Sequence, residues 1–524
     1  MKKTLTLLLA LLMILSLAAC SSKPAETKTD TPAGTTEKTE TKNEAPAAKR
    51  TDLVIAAATE AVTLDPQGGW DGASLYILRQ LYNGLVKLDN DMNVVGDLAE
   101  SWEFTTDKTV TFKLKQGVKF HNGEELKASD VVFSIQRAQA SAKVKSFTAN
   151  IESVVADDDY TVTITTSIPY APLMTNLCHT ANCIVSQKAV EAAGDTFSSA
   201  PIGGGTGPFV FKSWDSGDKI VLTRNDDYFA SEVKATSLTY KLMSEDAARA
   251  IALETGEVDL VLVLSGADAK RIDANPDTVL NVSMSPKIEY VSFNQHVEPF
   301  NNPLVRQAIN CAINREELCL VATDGYGTVT DSVMNSQIKG YTDQVTHYEF
   351  NLEKAKELLT QAGYPNGFNT SIQVGTNARN LEAQQIQGTL TELGFQVEIN
   401  QLESAANLEK INNGDYDMFI MSYNNTTGDP DTSMYMLFNS KVPASSGNRS
   451  YTNIARVDEL LEAGRAEIDN EKRMAIYAEI QAILTEQAVW VPLYNVPTLV
   501  GTRTGLKGYD AHPLGADVFD QLGY

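Results

Sequence analysis

The sequence predicts an α/β protein of more than one domain, and three observations carry that expectation. The chain has 524 residues, more than one ordinary hydrophobic core sustains, so two or three domains are expected. Between residues 372 and 423 strand and helix patterns alternate as βαβαβ, which predicts a right-handed, largely parallel sheet. Earlier, Val110-Thr111-Phe112-Lys113-Leu114 and residues 151–166 alternate with period two, the mark of half-buried hairpin strands.

Composition narrows the function classes. With 43% hydrophobic and 21% charged residues, the chain reads as a soluble globular protein and not a multi-span membrane protein. A net charge of −24 argues against a nucleic-acid partner, because a phosphate backbone needs a basic footprint. It suits an acidic secreted surface kept soluble by self-repulsion.

The N-terminus reads as an address. Met1-Lys2-Lys3 is a basic start, and a mostly apolar run ends at Leu17-Ala18-Ala19-Cys20. The run is short for a membrane span and has small residues where a signal peptidase cuts. Leu-Ala-Ala-Cys resembles the lipobox of bacterial lipoproteins, which implies that residues 1–20 are a signal peptide and that Cys20 is lipidated on its sulfur. An ordinary secretory signal and an uncleaved anchor are the other readings. Residues 21–50 are Thr, Lys, Glu, Pro and Ala with almost no bulky apolar side chain, a composition expected to form a disordered tether. A tether of this length suits a Gram-positive-type envelope.

Globular patterning starts at Asp52 with a short strand, Leu53-Val54-Ile55-Ala56, that Leu64-Asp65-Pro66 closes. Residues 76–88 read as a helix. Asp89, Asp91, Asn93, Asp97 and Glu100 occupy calcium-loop positions, but Val94 stands where the sharp turn needs Gly, so a polar turn and no metal is expected. A helix opens at Ser129-Asp130, and the 151–166 hairpin turns at Asp157-Asp158-Asp159. Gly203-Gly204-Gly205-Thr206-Gly207 lacks the Gly-Lys-Ser/Thr ending of a phosphate loop. Ser244-Glu245-Asp246 caps a helix running to Gly256, with a strand at 257–260. Asn302-Pro303 starts another helix on which Cys311 and Cys319 are placed together. Helices at 380–393 and 404–413 separate the strands at 372–374, 395–402 and 417–423. Two more helices, 457–468 and 472–486, precede a final strand at 489–493.

Catalytic signatures are missing. The five histidines form no His-Glu-x-x-His pair, and neither a Gly-x-Ser-x-Gly elbow nor a dinucleotide fingerprint occurs. No enzyme, cofactor or metal is expected. Cys178-His179 with Cys183 lacks a fourth zinc ligand, leaving core thiols or one local disulfide between Cys178 and Cys183. In a βαβ sheet ligands gather beyond the carboxyl ends of strands, which points to Tyr423, Asn424, Asn425 and Thr426. An aromatic there can stack on a ligand and amides can bond a peptide backbone. Trp70, Phe147 and Asn294 are further candidates.

Residues 97–137, DLAESWEFTTDKTVTFKLKQGVKFHNGEELKASDVVFSIQR, resemble the signature of the peptide and nickel class (family 5) of extracellular solute-binding proteins serving ABC importers. The same resemblance covers most of residues 51–524 through Leu64-Asp65-Pro66, Tyr82-Asn83-Gly84-Leu85, Gly203 to Phe209, Asn225-Asp226-Asp227-Tyr228-Phe229 and the Pro299-Phe300-Asn301-Asn302-Pro303-Leu304 string. It implies a two-lobed, type II periplasmic-binding-protein fold that closes around ligand. Domain I would comprise 51–85, 203–292 and 487–524, domain II 86–202, and domain III 293–486. The implied protein is a monomeric, lipid-anchored, extracytoplasmic receptor that delivers short peptides to a permease and its ATPase subunits. One departure bears on specificity. The family's peptide binders follow the aromatic at the position of Tyr423 with an Asp three residues later, paired to the peptide's α-amino group, and here that residue is Thr426. A hydroxyl does not replace the charge-assisted bond of a carboxylate. A non-peptide solute (a metal chelate, an opine or a sugar-like molecule) and a sensory receptor role are the alternatives.

Overall fold

The structure, a computed structural model, describes residues 51–524; Cys20 and the expected signal and tether lie outside the described residues. Its central feature is an antiparallel pair of long strands, Thr278–Phe293 and Trp490–Arg503. Their register runs from Thr278 opposite Arg503 to Ser292 opposite Trp490, and it shifts between Met284 and Ile288 and again between Glu289 and Tyr290. Pro286 lies inside the first shift, and in the facing strand Pro497 stands opposite Met284 and Pro492 opposite Tyr290, at the edges of the two shifts. Proline has no N–H to give a ladder, so the irregularities fall where the sequence withholds donors.

Both flanks of this ribbon carry sheet. Leu260–Val261 joins one side and leads through Asp52–Ala57 and Ser237–Leu242 to Lys219–Arg224 and Phe209–Asp215. Met418–Asn424, Asn369–Val374 and Gln396–Gln401 join the other. The last three are mutually parallel, with the Asn377–Glu392 and Ser404–Asn413 helices as crossovers. The sheet as a whole is mixed rather than largely parallel, because Met418–Asn424 pairs antiparallel with Thr278–Phe293. Period-two alternation sorts the two faces. Tyr290 and Phe419 enter one core with Trp490, while Val291 and Ile420 enter another with Ile309 and Ile372.

A separate four-stranded antiparallel sheet is formed by Ala99–Phe104, Thr109–Leu114, Thr161–Thr166 and Ile151–Asp158. The Ala128–Ala140 helix lies on it, with Ala128, Val131 and Ile135 buried at helical spacing in one core with Phe112, Val162 and Ile164. Its cap is Lys127 rather than Ser129: the Lys127 N–H donates to the Asp130 carboxylate at 3.1 Å. The expected hairpin at 151–166 is present.

Several expected elements differ. The first helix spans Gly72–Leu81, not 76–88, and Val86–Leu88 is a strand paired with Val94–Gly96. Tertiary pairing overrides the helical pattern there. The calcium-like loop between those strands is a turn in which the Asp89 carboxylate accepts from the Asp91 and Asn93 N–H groups at 3.0 and 2.8 Å. Cys311 and Cys319 lie on two helices, Pro303–Ala312 and Arg315–Ala322, because Asn314 caps the second through the Glu317 N–H. The final strand extends from Trp490 to Arg503, far beyond the expected end at 493. All four described cysteines are free thiols, Cys178 and Cys183 included.

Residues 203–207 press against the end of the first helix. A Cβ on Gly205 would stand 1.8 Å from the Leu81 carbonyl oxygen, which is fixed backbone, and the Gly207 N–H donates to that same oxygen at 2.9 Å. Only glycine permits this approach. Gly388, in the middle of the Asn377–Glu392 helix, has open space around a Cβ. Urea unfolding is therefore expected to show Gly205→Ala destabilised by about 3 kcal/mol, whereas Gly388→Ala gains about 1 kcal/mol through helix propensity. Equal effects at both positions would remove the close-approach argument.

Candidate functional site

A cavity of about 580 Å³ opens where four stretches of chain meet. One wall is the end of the Gly72–Leu81 helix with Arg79, Tyr82 and Asn83; a second is Thr175, Cys178, His179 and Thr180. The third is the loop carrying Thr426 and Thr427, and the fourth the C-terminal segment with Asp510, His512 and Asp517. Such a volume suits a small solute.

The Thr426 loop is built by its neighbours. Asn425 is buried, accepts from the Thr427 and Gly428 N–H groups at 3.2 and 2.9 Å, and donates to the Asp429 carbonyl at 2.8 Å and Ser433 Oγ at 3.2 Å. It shapes the turn. Asp429 caps the Pro430–Phe438 helix and is clamped by Arg473 at 2.8 and 2.5 Å. Removing one partner would leave a buried unpaired charge. Thr426 itself is half-buried and turned to the cavity, and its hydroxyl has no partner among the described residues.

The other sequence-predicted residues scatter. Tyr423 is half-buried, and its hydroxyl donates to the Thr432 carbonyl at 3.0 Å. Asn424 is exposed at the strand end opposite Lys287. Asn294 is buried and donates to the carbonyls of Gly414 and Tyr416, both at 3.0 Å. These bonds to backbone 120 residues away make Asn294 a fixed strut, with no group left for a ligand. Trp70 and Phe147 meet edge to face, with ring centroids 5.9 Å apart. Phe147 in turn stacks on His179 at 3.8 Å. Both aromatics pack on His179 and neither is among the residues lining the cavity; Phe147 is buried, whereas Trp70 is exposed. Arg79, His179, Thr180 and Asp517 carry no motif signal. His179 drew notice only as an incomplete zinc set.

Electrostatics around the cavity are uneven. Asp97 is buried, takes the Asn83 side-chain amide at 3.1 and 3.0 Å and the Gly84 N–H at 3.2 Å, and has Lys87 at 3.9 Å. Burial raises its pKa above the usual carboxylate value despite these partners. Burial lifts Asp517 in the same way, with the His512 N–H on its Oδ1 at 2.8 Å. His179 Nδ1 accepts the Ala181 N–H at 3.1 Å, so its proton sits on Nε2. Burial lowers its pKa to about 3, helped by the Arg79 charge, and the ring is neutral at pH 7. Burial also raises the Cys178 and Cys183 thiols above their ordinary value, which keeps them protonated and inert. The segment carrying Thr175 is tied to the side carrying the Thr426 loop by the Ala171 N–H donating to the Arg465 carbonyl at 3.0 Å and by Thr175 Oγ1 donating to Asp429 Oδ2 at 3.3 Å.

Residues 93–444 match the family described as bacterial extracellular solute-binding proteins, family 5 middle. Over 488 residues the chain is 30% identical to the glutathione-binding protein GsiB of Salmonella typhi, covering 91% of this chain and 95% of that protein. Among solved structures, the periplasmic binding protein DppA of Helicobacter pylori in complex with peptide STSA superposes with a TM-score of 0.79 at 30% identity, covering 91% of this chain and 98% of that one. AgaA from A. tumefacien R10 in complex with agropinic acid superposes with a TM-score of 0.76 at 28% identity, covering 89% and 97%.

His179 generates a stability prediction. Its pKa lies below the unfolded value of 6.5, so the unfolded chain takes up a proton first as pH falls. The stability it leaves intact above pH 6.5 is lost progressively as pH drops toward about 3. Glu382, pushed up to about 7 by burial and the Glu289 charge, acts in the opposite sense, so the comparison must be with a variant. Between pH 6 and 4.5, His179→Gln is expected to flatten the fall of unfolding free energy by about 1.4 kcal/mol per pH unit. Parallel curves would mean that His179 titrates alike in both states.

Proposed function

This chain belongs to the bacterial extracellular solute-binding proteins of family 5, and on that premise we propose that it holds a short peptide in the cavity between Thr426 and His179. Proteins of this family act outside the cytoplasm and serve ABC importers. The observation that carries the reading is the cavity itself: about 580 Å³, walled by segments far apart in sequence, with an unpartnered Thr426 hydroxyl facing into it. A solute touching walls from both flanks of the central sheet favours the arrangement that brings them together. We read the solute as bound unchanged, the protein as a monomer anchored through Cys20, and the domains as 51–85 with 203–292 and 487–524, then 86–202, then 293–486. Distinct hydrophobic cores around Leu78, Phe112 and Ile309 speak for three domains, although Cys183 to Phe197 pack into the Leu78 core and Val491 to Tyr494 into the Ile309 core, across the proposed boundaries.

Thr426 favours a second reading. Of the acids lining the cavity, Asp97 is taken up by Asn83 and Gly84, and Asp510 by Asn90 at 2.5 Å. An α-amino group finds no carboxylate on the Thr426 loop, and a solute without a free amine fits that wall equally well. AgaA, bound to agropinic acid, is an example of such a solute on this fold.

Native mass spectrometry of the purified protein, followed by denaturing release, separates the two readings. A mixed set of short peptides is expected, and a single non-peptide mass would replace the peptide reading with the second. Thr426→Trp should fill the cavity mouth and weaken binding of the released solute by at least about tenfold with little change in melting temperature. Unchanged affinity would move the site elsewhere.

A further inference from the structure

The most buried part of the cavity lining presents hydrogen-bond donors without acceptors. His179 is 4% exposed and Thr180 6% exposed; both line the cavity. His179 Nε2 and Thr180 Oγ1 are buried atoms with no partner. The tautomer is set by the Ala181 N–H on Nδ1, so Nε2 carries a hydrogen it gives to nothing. Leaving such a donor buried and unsatisfied is costly, because the lost hydration is not replaced by an acceptor. The ring cannot turn away, because it is stacked on Phe147 with planes 12° apart.

Arg79 lines the same cavity. Its guanidinium donates from Nη1 to the Gly515 carbonyl, and no carboxylate lies within ion-pair distance of it among the described residues. Asp517 attracts the charge from beyond that distance. A guanidinium has five N–H donors in a planar fork suited to a two-oxygen acceptor.

We propose that Arg79, His179 Nε2–H and Thr180 Oγ1–H form a subsite for a carboxylate of the bound solute. This rests on the reading of the cavity as the solute site and adds the chemical class of the group held at its most buried part. A carboxylate supplies acceptor lone pairs for all three donors and the missing counter-charge for the guanidinium. A phosphate is the poorer fit: Asp89, Asp97, Asp510, Asp517 and Asp520 also line the cavity, against Arg79 and Lys87 alone among the basic residues. That surplus of negative charge disfavours a dianion and tolerates a single carboxylate on an otherwise neutral or cationic solute. With Thr426 in place of a carboxylate on its loop, the solute is recognised through its acid end and not through an ion-paired amine.

The test uses the full-length protein freed of solute, with peptides from the released set prepared as free acids and as C-terminal amides. Wild type is expected to bind the acids about tenfold to a hundredfold more tightly than the amides. In Arg79→Gln that preference disappears because acid binding weakens far more than amide binding, a result that a purely structural role for Arg79, which would weaken both alike, would not give. Thr180→Val, which swaps a hydroxyl for a methyl of the same shape, should weaken acid binding about threefold to tenfold and leave the melting temperature of the empty protein unchanged or higher. Equal binding of acids and amides by wild type, or an intact acid preference in Arg79→Gln, overturns the subsite while the peptide reading stands. If no peptide binds, the peptide reading falls separately. The subsite is then judged by thermal stabilisation with small carboxylates, from propionate to citrate, against their amides. An acid that stabilises wild type and not Arg79→Gln upholds the subsite; no stabilisation by any acid overturns it.

Discussion

The structure depends on one long backbone ladder, the antiparallel pairing of Thr278–Phe293 with Trp490–Arg503. Two strands about 200 positions apart in the sequence are long enough to take sheet on both flanks. The N-terminal strands attach through Leu260–Val261 on one side and the βαβαβ segment through Met418–Asn424 on the other. Every backbone group in the ladder needs its partner, so the two flanks are held in register by the ribbon. Its weakest stretch is residues 284–290, where proline withholds donors and the register shifts twice. The Asn425 N–H donates to the Pro286 carbonyl at 3.2 Å, which links that stretch directly to the Thr426 loop.

The cavity follows from this arrangement. Its walls come from residues near 80, 180, 427 and 515, segments that no local interaction would assemble. Each is stiffened by groups that do not face the cavity: Arg473 clamps Asp429, Asn425 ties the turn, Phe147 props His179 and Gly205 lets the 203–207 segment close on Leu81. Their bonds are saturated, so the groups left free at the surface of the cavity are few. Among the described residues they include the Thr426 hydroxyl, the outward donors of Arg79, and the orphaned donors of His179 and Thr180. Specificity resides in that short set because polar groups in a water-poor site without a ligand are costly, and a solute that satisfies them recovers the cost.

Much of the fold was legible in the sequence. The Asn302-Pro303 helix start, the 151–166 hairpin and the parallel strand-helix alternation at its C-terminal end are all present, because each rests on local rules of capping, alternation and crossover. The reach of the last strand to Arg503 and the strand at Val86–Leu88 were not legible, since both are decided by a partner elsewhere in the chain. The site was less legible than the fold. Thr426 lies on the cavity as a strand-end loop predicts, but Asn294 and Asn425 are amides taken up by backbone, which depends on contacts invisible in a linear pattern. Arg79 and His179 stand 100 positions apart and acquire meaning only when a neutral ring, an unpaired guanidinium and a cavity coincide. Sequence resemblance identified the family; it did not identify which of this chain's donors are unsatisfied.

The most direct measurement of the central claim is amide hydrogen exchange on the protein with and without its released solute. Joint protection of residues 79–84, 175–183, 425–428 and 508–517, the stretches that wall the cavity, is the expected result. Protection confined to one wall, or to the stretches around Trp70 and Tyr423 alone, would contradict a solute held between Thr426 and His179.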